Sequence, residues 1–195
     1  MPSEILENRG KLFVISGPSG VGKTVLCNYL LQRFFPGVIY SISTTSRQPR
    51  GNEAEGQEYN FCTKEEFEKA IQEDSFVEWA CVHGNYYGTP YKFLEDTLNA
   101  GKNLLLNIDV QGAIKIKNKF PDAVMIFILP PSMSELEQRL RIRNADTEDS
   151  LKRRMANAEE ELKYTAVYNY TIVNDNLEKA QKELAEIYLL HTGKS

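Results

Sequence analysis

Histidine, cysteine and tryptophan are scarce in this sequence of 195 residues, which contains 2 histidines, 3 cysteines and 1 tryptophan. His83 and His191 are too few and too far apart to form a metal centre. No apolar run approaches ~20 residues, so we expect no transmembrane helix and no membrane partner. The stretch from Met1 to Gly10 lacks the apolar segment of a secretory signal.

The cysteines and the charge balance narrow the class of protein further. Cys27, Cys62 and Cys81 form no C-x-x-C pair, and their odd number is typical of reduced thiols, so we expect a cytoplasmic protein. The net charge of -4 argues against a general nucleic-acid partner.

An alternation of strand-like and helix-like patterns indicates one α/β domain, with a largely parallel sheet flanked by helices. The runs at 103–109 and 123–129 are continuous and apolar, as strands covered on both faces are. Further strands are predicted at 11–16, 38–42 and 170–173, and a final helix at about 177–190.

Two segments interrupt this pattern. Residues 43–90 are polar, turn-rich and aromatic, and strand-like runs at 58–62 and 76–82 predict a small β-rich insertion. A helix between those runs is predicted to open with a capping box of Thr63 and Glu66, and Ser132 with Glu135 predicts a second one. The segment at 139–156 is dense in charge.

Residues 17–24 read Gly-Pro-Ser-Gly-Val-Gly-Lys-Thr and fit the phosphate-loop pattern G-x-x-x-x-G-K-[ST]. The glycines let backbone N–H groups converge on an anion, and the following helix adds its partial positive charge. Lys23 can reach the β- and γ-phosphates, and Thr24 offers a hydroxyl to Mg²⁺. A glycine-rich turn without function is disfavoured, because a strand-like run precedes the loop and helical spacing follows it.

A second phosphate site is indicated by residues 43–50, where Arg47 and Arg50 stand three positions apart on a turn and can fork toward one phosphate group. Tyr59 and Tyr87, the latter next to a loop glycine, add hydroxyls that suit a phosphate monoester. Taken alone, a solvated loop with surface arginines is an equally good interpretation. The charged segment at 139–154 could likewise be a solvated helix with ion pairs four residues apart.

The order and spacing of several motifs resemble those of guanylate kinases. They are the phosphate loop, Ser43-x-x-x-Arg47-x-x-Arg50-x-x-Glu53, Glu58-Tyr59-x-Phe61, Phe76-Val-Glu78, Gly84-Asn-Tyr-Tyr-Gly88, Ile108-Asp-Val-Gln-Gly112, Arg139-Leu-x-x-Arg143, Arg154 and Ile172-Val-Asn-Asp175. The resemblance covers nearly all of the chain after Gly10. It implies phosphoryl transfer from ATP to GMP, in a single P-loop kinase domain with a core at about 11–42, 91–138 and 157–195, a GMP-binding insertion at 43–90 and a lid at 139–156.

The resemblance also assigns residues to the donor side. The ATP-binding residues it implies are Gly17, Pro18, Ser19, Gly20, Val21, Gly22, Lys23 and Thr24, with Asn174 and Asp175 near the adenine. Lys23, Arg50, Arg143 and Arg154 are the implied catalytic residues, which neutralise charge around the transferred group. Thr24 and Asp109 are the implied ligands of Mg²⁺, partly through water.

For GMP, the resemblance implies Ser43, Arg47, Arg50, Glu53, Tyr59, Glu78, Tyr87, Thr89, Asn107 and Asp109. The Glu78 carboxylate suits guanine, because guanine presents two adjacent donors where adenine does not. Asn107 departs from the family, which usually has an acidic residue there, and asparagine loses the charge while it gains a donor.

Two other functions stay open at this point. One is a catalytically silent guanylate-kinase-like module that binds phosphopeptides, although such modules typically have a degraded phosphate loop. The other is a kinase for a different nucleoside monophosphate, which Glu78 and Ser43 disfavour. The sequence does not decide between a monomer and a homodimer.

Overall fold

The computed structural model describes residues 9–51, 53–57, 59–82, 84–143 and 148–193, except the side chain of Arg143. Its strands are β1 Leu12–Ser16, β2 Val38–Tyr40, β3 Thr44–Thr45, β4 Asn60–Phe61, β5 Phe76–Val82, β6 Asn85–Pro90, β7 Asn103–Asn107, β8 Val124–Leu129 and β9 Tyr170–Val173. Its α-helices are α1 Lys23–Phe34, α2 Lys64–Gln72, α3 Tyr91–Asn99, α4 Val110–Lys119, α5 Met133–Arg143, α6 Glu148–Leu162 and α7 Leu177–Thr192.

The large sheet has five strands in the order β2-β7-β1-β8-β9, and every neighbouring pair is parallel. The central strand β1 pairs with β7 on one side and with β8 on the other, so that Val14 lies opposite both Leu106 and Met125. Helices connect these strands and cover both faces, as parallel strands require. The predicted α/β class with a parallel sheet flanked by helices is confirmed.

Side chains of the central strands alternate between two buried clusters. Phe13 and Ile15 of β1 pack in the cluster that contains Leu26 of α1 and Leu184 of α7. Leu12 and Val14 point to the other face and pack with α3 and α4. Each strand therefore needs apolar residues at successive positions, which is why these strands are continuous apolar runs.

The small sheet has four strands in the order β4-β3-β6-β5, all drawn from residues 43–90. Helix α2 begins with the predicted capping box, in which Glu66 N–H donates to the Thr63 hydroxyl and Thr63 N–H donates to the Glu66 carboxylate. Gly88 was expected in a loop but lies within β6 and is buried. A Cβ on Gly88 would come 2.9 Å from the stacked rings of Phe67 and Phe76, so only glycine fits there.

Several predicted boundaries are wrong by a few residues. Strand β2 ends at Tyr40 and not at residue 42, and β4 covers only Asn60–Phe61 of the predicted 58–62, of which residue 58 lies outside the description. Strand β7 ends at Asn107, because Asp109 caps α4 by accepting a hydrogen bond from Gly112 N–H at 2.8 Å. Helix α7 continues to Thr192. Within the described residues, no helix has the length and apolarity to cross a membrane.

The charged segment forms the end of α5 and most of α6. Arg141 pairs with Glu137 one turn earlier on α5 and with Glu148 at the start of α6, all of them exposed. For Arg141, the interpretation as a solvated helix residue in an ion pair is therefore correct. Exposed pairs of this kind contribute little to stability. Ser132 accepts from Glu135 N–H, as the second capping box predicts, while the Glu135 carboxylate accepts from Arg139.

Candidate active site

A cleft of about 410 Å³ lies at the carboxyl end of the large sheet. Its walls are the phosphate loop, the end of β7, one face of the small sheet and one face of α6. The predicted site residues that line it are Gly17, Ser19, Lys23, Ser43, Tyr59, Glu78, Tyr87, Asn107, Asp109 and Arg154. The carboxyl ends of parallel strands are where α/β folds bind ligands, so this cleft is the candidate active site.

The phosphate loop follows β1 and leads directly into α1. Gly17, Gly20 and Gly22 all have positive φ angles, of 138°, 86° and 99°. A Cβ on Gly17 would lie 2.3 Å from the Ile128 carbonyl oxygen, so this position has no room for a side chain. The Lys23 ammonium donates to the carbonyls of Gly17 at 2.5 Å and Pro18 at 3.0 Å, which keeps its charge inside the loop.

Asn174 holds the phosphate loop from the end of β9. It is buried, and its side-chain amide donates to the Val21 carbonyl at 2.8 Å. Arg139 donates in turn to the Asn174 carbonyl at 3.0 Å. Asp175 is exposed, and its carboxylate accepts from Asn176 N–H at 2.6 Å. The adenine contact of Asn174 and Asp175 stays a prediction, and the loop support given by Asn174 is an additional role.

Arg47 is the centre of a polar group at the β3–β4 edge of the small sheet. It is only 7% exposed, and its guanidinium donates to Glu53 at 2.9 and 3.0 Å and to the Tyr87 hydroxyl at 3.2 Å. Its guanidinium also lies 5.3 Å from the centre of the Tyr59 ring. Arg47 is therefore fixed in place before any phosphate binds, and the paired carboxylate satisfies its buried charge.

Glu53 connects Arg47 to Arg50, because its carboxylate also accepts from Arg50 N–H at 2.8 Å. Burial alone would raise the pKa of Glu53, but the hydrogen bonds from Arg50 and Arg47 hold it below its ordinary value. Burial likewise opposes the charge of Arg47, yet Glu53 and Tyr87 raise the Arg47 pKa above its usual range. The Arg50 side chain is exposed, so the structure does not bring it to the buried group.

Glu78 on β5 and Thr89 on β6 form a buried pair. The Thr89 hydroxyl donates to one Glu78 oxygen at 2.7 Å, and Glu78 is only 6% exposed. Burial raises the pKa of Glu78 to about 7, the Thr89 bond opposes the rise, and Asp109 adds to it. The other carboxylate oxygen lies against α4, where a Cβ on Gly112 would come within 2.6 Å of it.

The residues predicted to bind the metal do not form a closed cage. Thr24 is exposed in the first turn of α1, and one Asp109 oxygen caps α4 while the side chain lines the cleft. Asn107 also lines the cleft from the last position of β7. This open set of oxygen ligands fits a hydrated Mg²⁺, which keeps most of its own waters.

Helix α6 contributes Glu161, a cleft residue that the sequence patterns did not identify. Arg154, Asn157, Ala158 and Glu161 all line the cleft, at the spacing of one helix face. Burial raises the pKa of Glu161 to about 7, Lys23 opposes the rise, and one Glu161 oxygen is buried without a hydrogen-bond partner. The side chain of Arg143, a predicted catalytic residue, lies outside the described residues.

Comparisons with known proteins agree with this geometry. The sequence model described as guanylate kinase matches residues 9–189. Guanylate kinase from Clostridium perfringens (strain 13 / Type A) is 51% identical over 183 residues, which cover 94% of this chain and 84% of that protein. Guanylate kinase from Caldanaerobacter subterraneus subsp. tengcongensis is 45% identical over 184 residues, covering 94% and 89%. The crystal structure of guanylate kinase from Anaplasma phagocytophilum matches with a TM-score of 0.79 at 34% identity, over 98% of this chain and 91% of that one. The chain therefore belongs to the guanylate kinase family.

Proposed function

We propose that this chain transfers the γ-phosphoryl group of ATP to the phosphate of GMP, giving ADP and GDP. The proposal is carried by one observation: a phosphate loop and a buried carboxylate line the same cleft. Lys23 marks a phosphate loop on one wall, and the buried Glu78 carboxylate lies on the other. A phosphate loop alone would fit many nucleotide-binding proteins, but a buried carboxylate across the cleft fits a guanine base.

On the donor side, the loop N–H groups, the start of α1 and Lys23 would bind the ATP phosphates. Thr24 and Asp109 would hold Mg²⁺, partly through its waters, and the unpartnered oxygen of Glu161 is a further acceptor for that hydrated ion. Mg²⁺, when bound, neutralises charge on the β- and γ-phosphates. The fit of these residues to the ion is supported by the exposed hydroxyl and by the unpartnered buried carboxylate oxygen.

On the acceptor side, the Glu78 carboxylate would accept from guanine N1–H and from its 2-amino group. Each carboxylate oxygen has two acceptor positions, so the Thr89 bond leaves room for guanine. Ser43 can donate to guanine O6 from the same wall of the cleft. Adenine lacks both donors, and would leave a buried acceptor unpaired, at a cost on the order of 10²-fold in affinity.

The GMP phosphate would be held by Arg47, Arg50, Tyr59 and Tyr87. Its attacking oxygen is already ionised at neutral pH, so transfer requires no general base. What the chain supplies is orientation for in-line attack and neutralisation of charge by Lys23, Arg50, Arg143 and Arg154. Closure of the insertion at 43–90 and the lid at 139–156 would exclude water from the transferred group.

We also propose dGMP as a substrate, because the groups assigned to the acceptor recognise base and phosphate. The reaction would serve purine nucleotide metabolism by returning GMP to the diphosphate pool. A cytoplasmic location is supported by the free state of Cys27, Cys62 and Cys81.

An ADP-release assay with ATP, Mg²⁺ and each of GMP, dGMP, AMP, CMP and UMP tests the proposal. We expect turnover with GMP and dGMP and at least 10²-fold lower kcat/KM with AMP. A Lys23→Ala variant should lose activity while its circular dichroism spectrum stays unchanged. Turnover with none of the nucleotides would favour the binding module instead, and preference for AMP would refute the role given to Glu78.

A further inference from the structure

Strand β5 lies at an edge of the small sheet, and helix α4 of the core packs along that edge. Val77 and Trp79 are two residues apart on β5, so their carbonyls point the same way. Lys119 donates to the Val77 carbonyl at 2.5 Å, and Lys115 donates to the Trp79 carbonyl. The two lysines are four residues apart and share one face of α4. They occupy the edge where another strand would otherwise pair.

The residue between the two bonded carbonyls is Glu78, the proposed guanine acceptor. The pairing of β5 with β6 is irregular just before Glu78, because the register shifts between Phe76 and Glu78. The Val77 side chain is buried in the core cluster that includes residues of α4, and the Glu78 carboxylate lines the cleft. The ladder is regular from Glu78 onward but interrupted just before it, so contacts from α4 to Val77 and Trp79 add to the pairing with β6 in fixing the position of Glu78.

Lys115 and Lys119 connect this strand to the part of α4 that already touches Glu78. Gly112, one turn before Lys115, lies against one carboxylate oxygen of Glu78. The Lys115 ammonium also lies 5.0 Å from the centre of the Trp79 ring, and its charge opposes the rise in the pKa of Glu78. Helix α4 thus contacts the β5 backbone, the Trp79 ring and the Glu78 carboxylate.

We propose that Lys115 and Lys119 are positioning residues that fix Glu78 for guanine and so determine base selectivity. The inference rests on the proposed function, since it assigns a role within the GMP site. According to this inference, the two edges of the small sheet bind different parts of GMP. The β5 edge, bound to the core, would read the base, and the opposite edge, with Arg47 and Tyr59, would hold the phosphate.

Lys117 is a matched control on the same helix. It also donates to backbone carbonyls, but to those of Pro121 at 2.7 Å and Ala123 at 3.5 Å, beyond the end of α4. A Lys117→Met change removes the same charge and the same kind of bond without touching β5. Any effect shared by all three lysines is therefore an effect of charge or of helix stability.

The experiment compares Lys115→Met, Lys119→Met and Lys117→Met with the unaltered protein. It measures kcat and KM for GMP, IMP and ATP, and GMP binding by calorimetry without ATP. IMP keeps N1–H but lacks the 2-amino group, so the ratio of kcat/KM for GMP over IMP reports whether Glu78 is placed to accept both donors. Lys119→Arg retains a donor and tests rescue.

We expect Lys115→Met and Lys119→Met each to raise KM for GMP about three- to tenfold and to lower the GMP/IMP ratio, with KM for ATP unchanged. Lys117→Met should match the unaltered protein, and Lys119→Arg should recover most of the loss. Unchanged GMP/IMP ratios, or equal losses with Lys117→Met, would overturn the inference. If the unaltered protein does not phosphorylate GMP, the proposed function itself fails, so the two failures are distinguishable.

Discussion

The Thr89 hydroxyl donates to the Glu78 carboxylate at 2.7 Å, and the two buried side chains reach each other from neighbouring strands β5 and β6. The bond orients the carboxylate without using up its capacity to accept. It also stabilises the charged form of a group that burial drives toward the neutral form. Glu78 is thus oriented for the proposed contact with guanine, and its pKa is sensitive to its surroundings.

Replacement of Glu78 by Gln should weaken GMP selectively. The amide presents a donor where guanine also presents donors, so we expect kcat/KM for GMP to fall about 10- to 100-fold. KM for ATP should stay unchanged, because the phosphate loop is on the other wall. Steady-state kinetics with both substrates varied will check this. Glu160→Gln, at a surface ion pair with Lys163, is the control, and an equal loss with every acceptor nucleotide would contradict the role.

The pKa of Glu78 predicts how GMP use depends on pH. Burial raises that pKa to about 7, so Glu78 of the free enzyme becomes protonated as pH falls through 7, and one of its two oxygens then carries a proton where guanine also presents a donor. We expect kcat/KM for GMP to fall toward tenfold per pH unit below 7. Glu161 titrates in the same range, so the profile should be measured in Glu161→Gln as well. A flat profile in that variant, from pH 8 to pH 6, would be inconsistent with the prediction.

The free energy of unfolding should also depend on the protonation of Glu78. It should fall as pH rises, whereas kcat/KM for GMP should increase. Glu78 binds its proton more tightly when folded than its ordinary value of 4.5 allows, so the folded state holds the extra proton between pH 4.5 and 7. The free energy of unfolding should therefore fall as pH rises through this window, by about 3 kcal/mol in total. Urea denaturation at pH 5 and pH 8 measures the slope. The slope should be smaller in Glu78→Gln, and an identical slope would show that Glu78 does not cause it.

Gly22→Ala should disable the phosphate loop. The residue has a φ of 99°, and an added Cβ would lie 2.4 Å from the Asn174 side-chain nitrogen that bonds Val21. We expect activity to fall at least tenfold and the unfolding free energy to fall by about 1–3 kcal/mol. Calorimetry with ATP and thermal melting will separate the two effects.

Gly193→Ala is the matched control for that change. Gly193 also has a positive φ, of 62°, but nothing lies within 4 Å of its added Cβ. The Gly193→Ala variant should lose only the unfolding free energy that alanine costs at a positive φ, and its ATP binding should be unchanged. Equal loss of ATP binding in both variants would mean that general destabilisation, and not the geometry of the phosphate loop, causes the loss.

Features that depend on local geometry were predictable from the sequence. The phosphate loop requires glycines and a lysine at fixed spacing, whatever the rest of the chain does. The parallel strands were recognisable because both faces are covered, so β8 is apolar at every position. The capping box at Thr63 and Glu66 is likewise closed within four residues.

Features that depend on distant partners were not predictable. Gly88 looked like a loop residue, because only the folded structure stacks Phe67 and Phe76 against it. The capping role of Asp109 shortens β7, and the strand pattern gave no sign of it. Glu161 lies on the cleft face of α6 at regular helix spacing. Because α6 has many other charged residues, the sequence did not distinguish this one from solvated residues. Lys115 and Lys119 look like solvated lysines until β5 is placed beside them.

The bond between Asn174 and Val21 joins residues 153 positions apart in the chain. During synthesis, the phosphate loop leaves the ribosome well before the residue that fastens it. A nascent chain that stops before β9 would contain the whole nucleotide motif and still lack this support. The order of translation thus delays the completed support of the phosphate loop until β9 and Asn174 have been made.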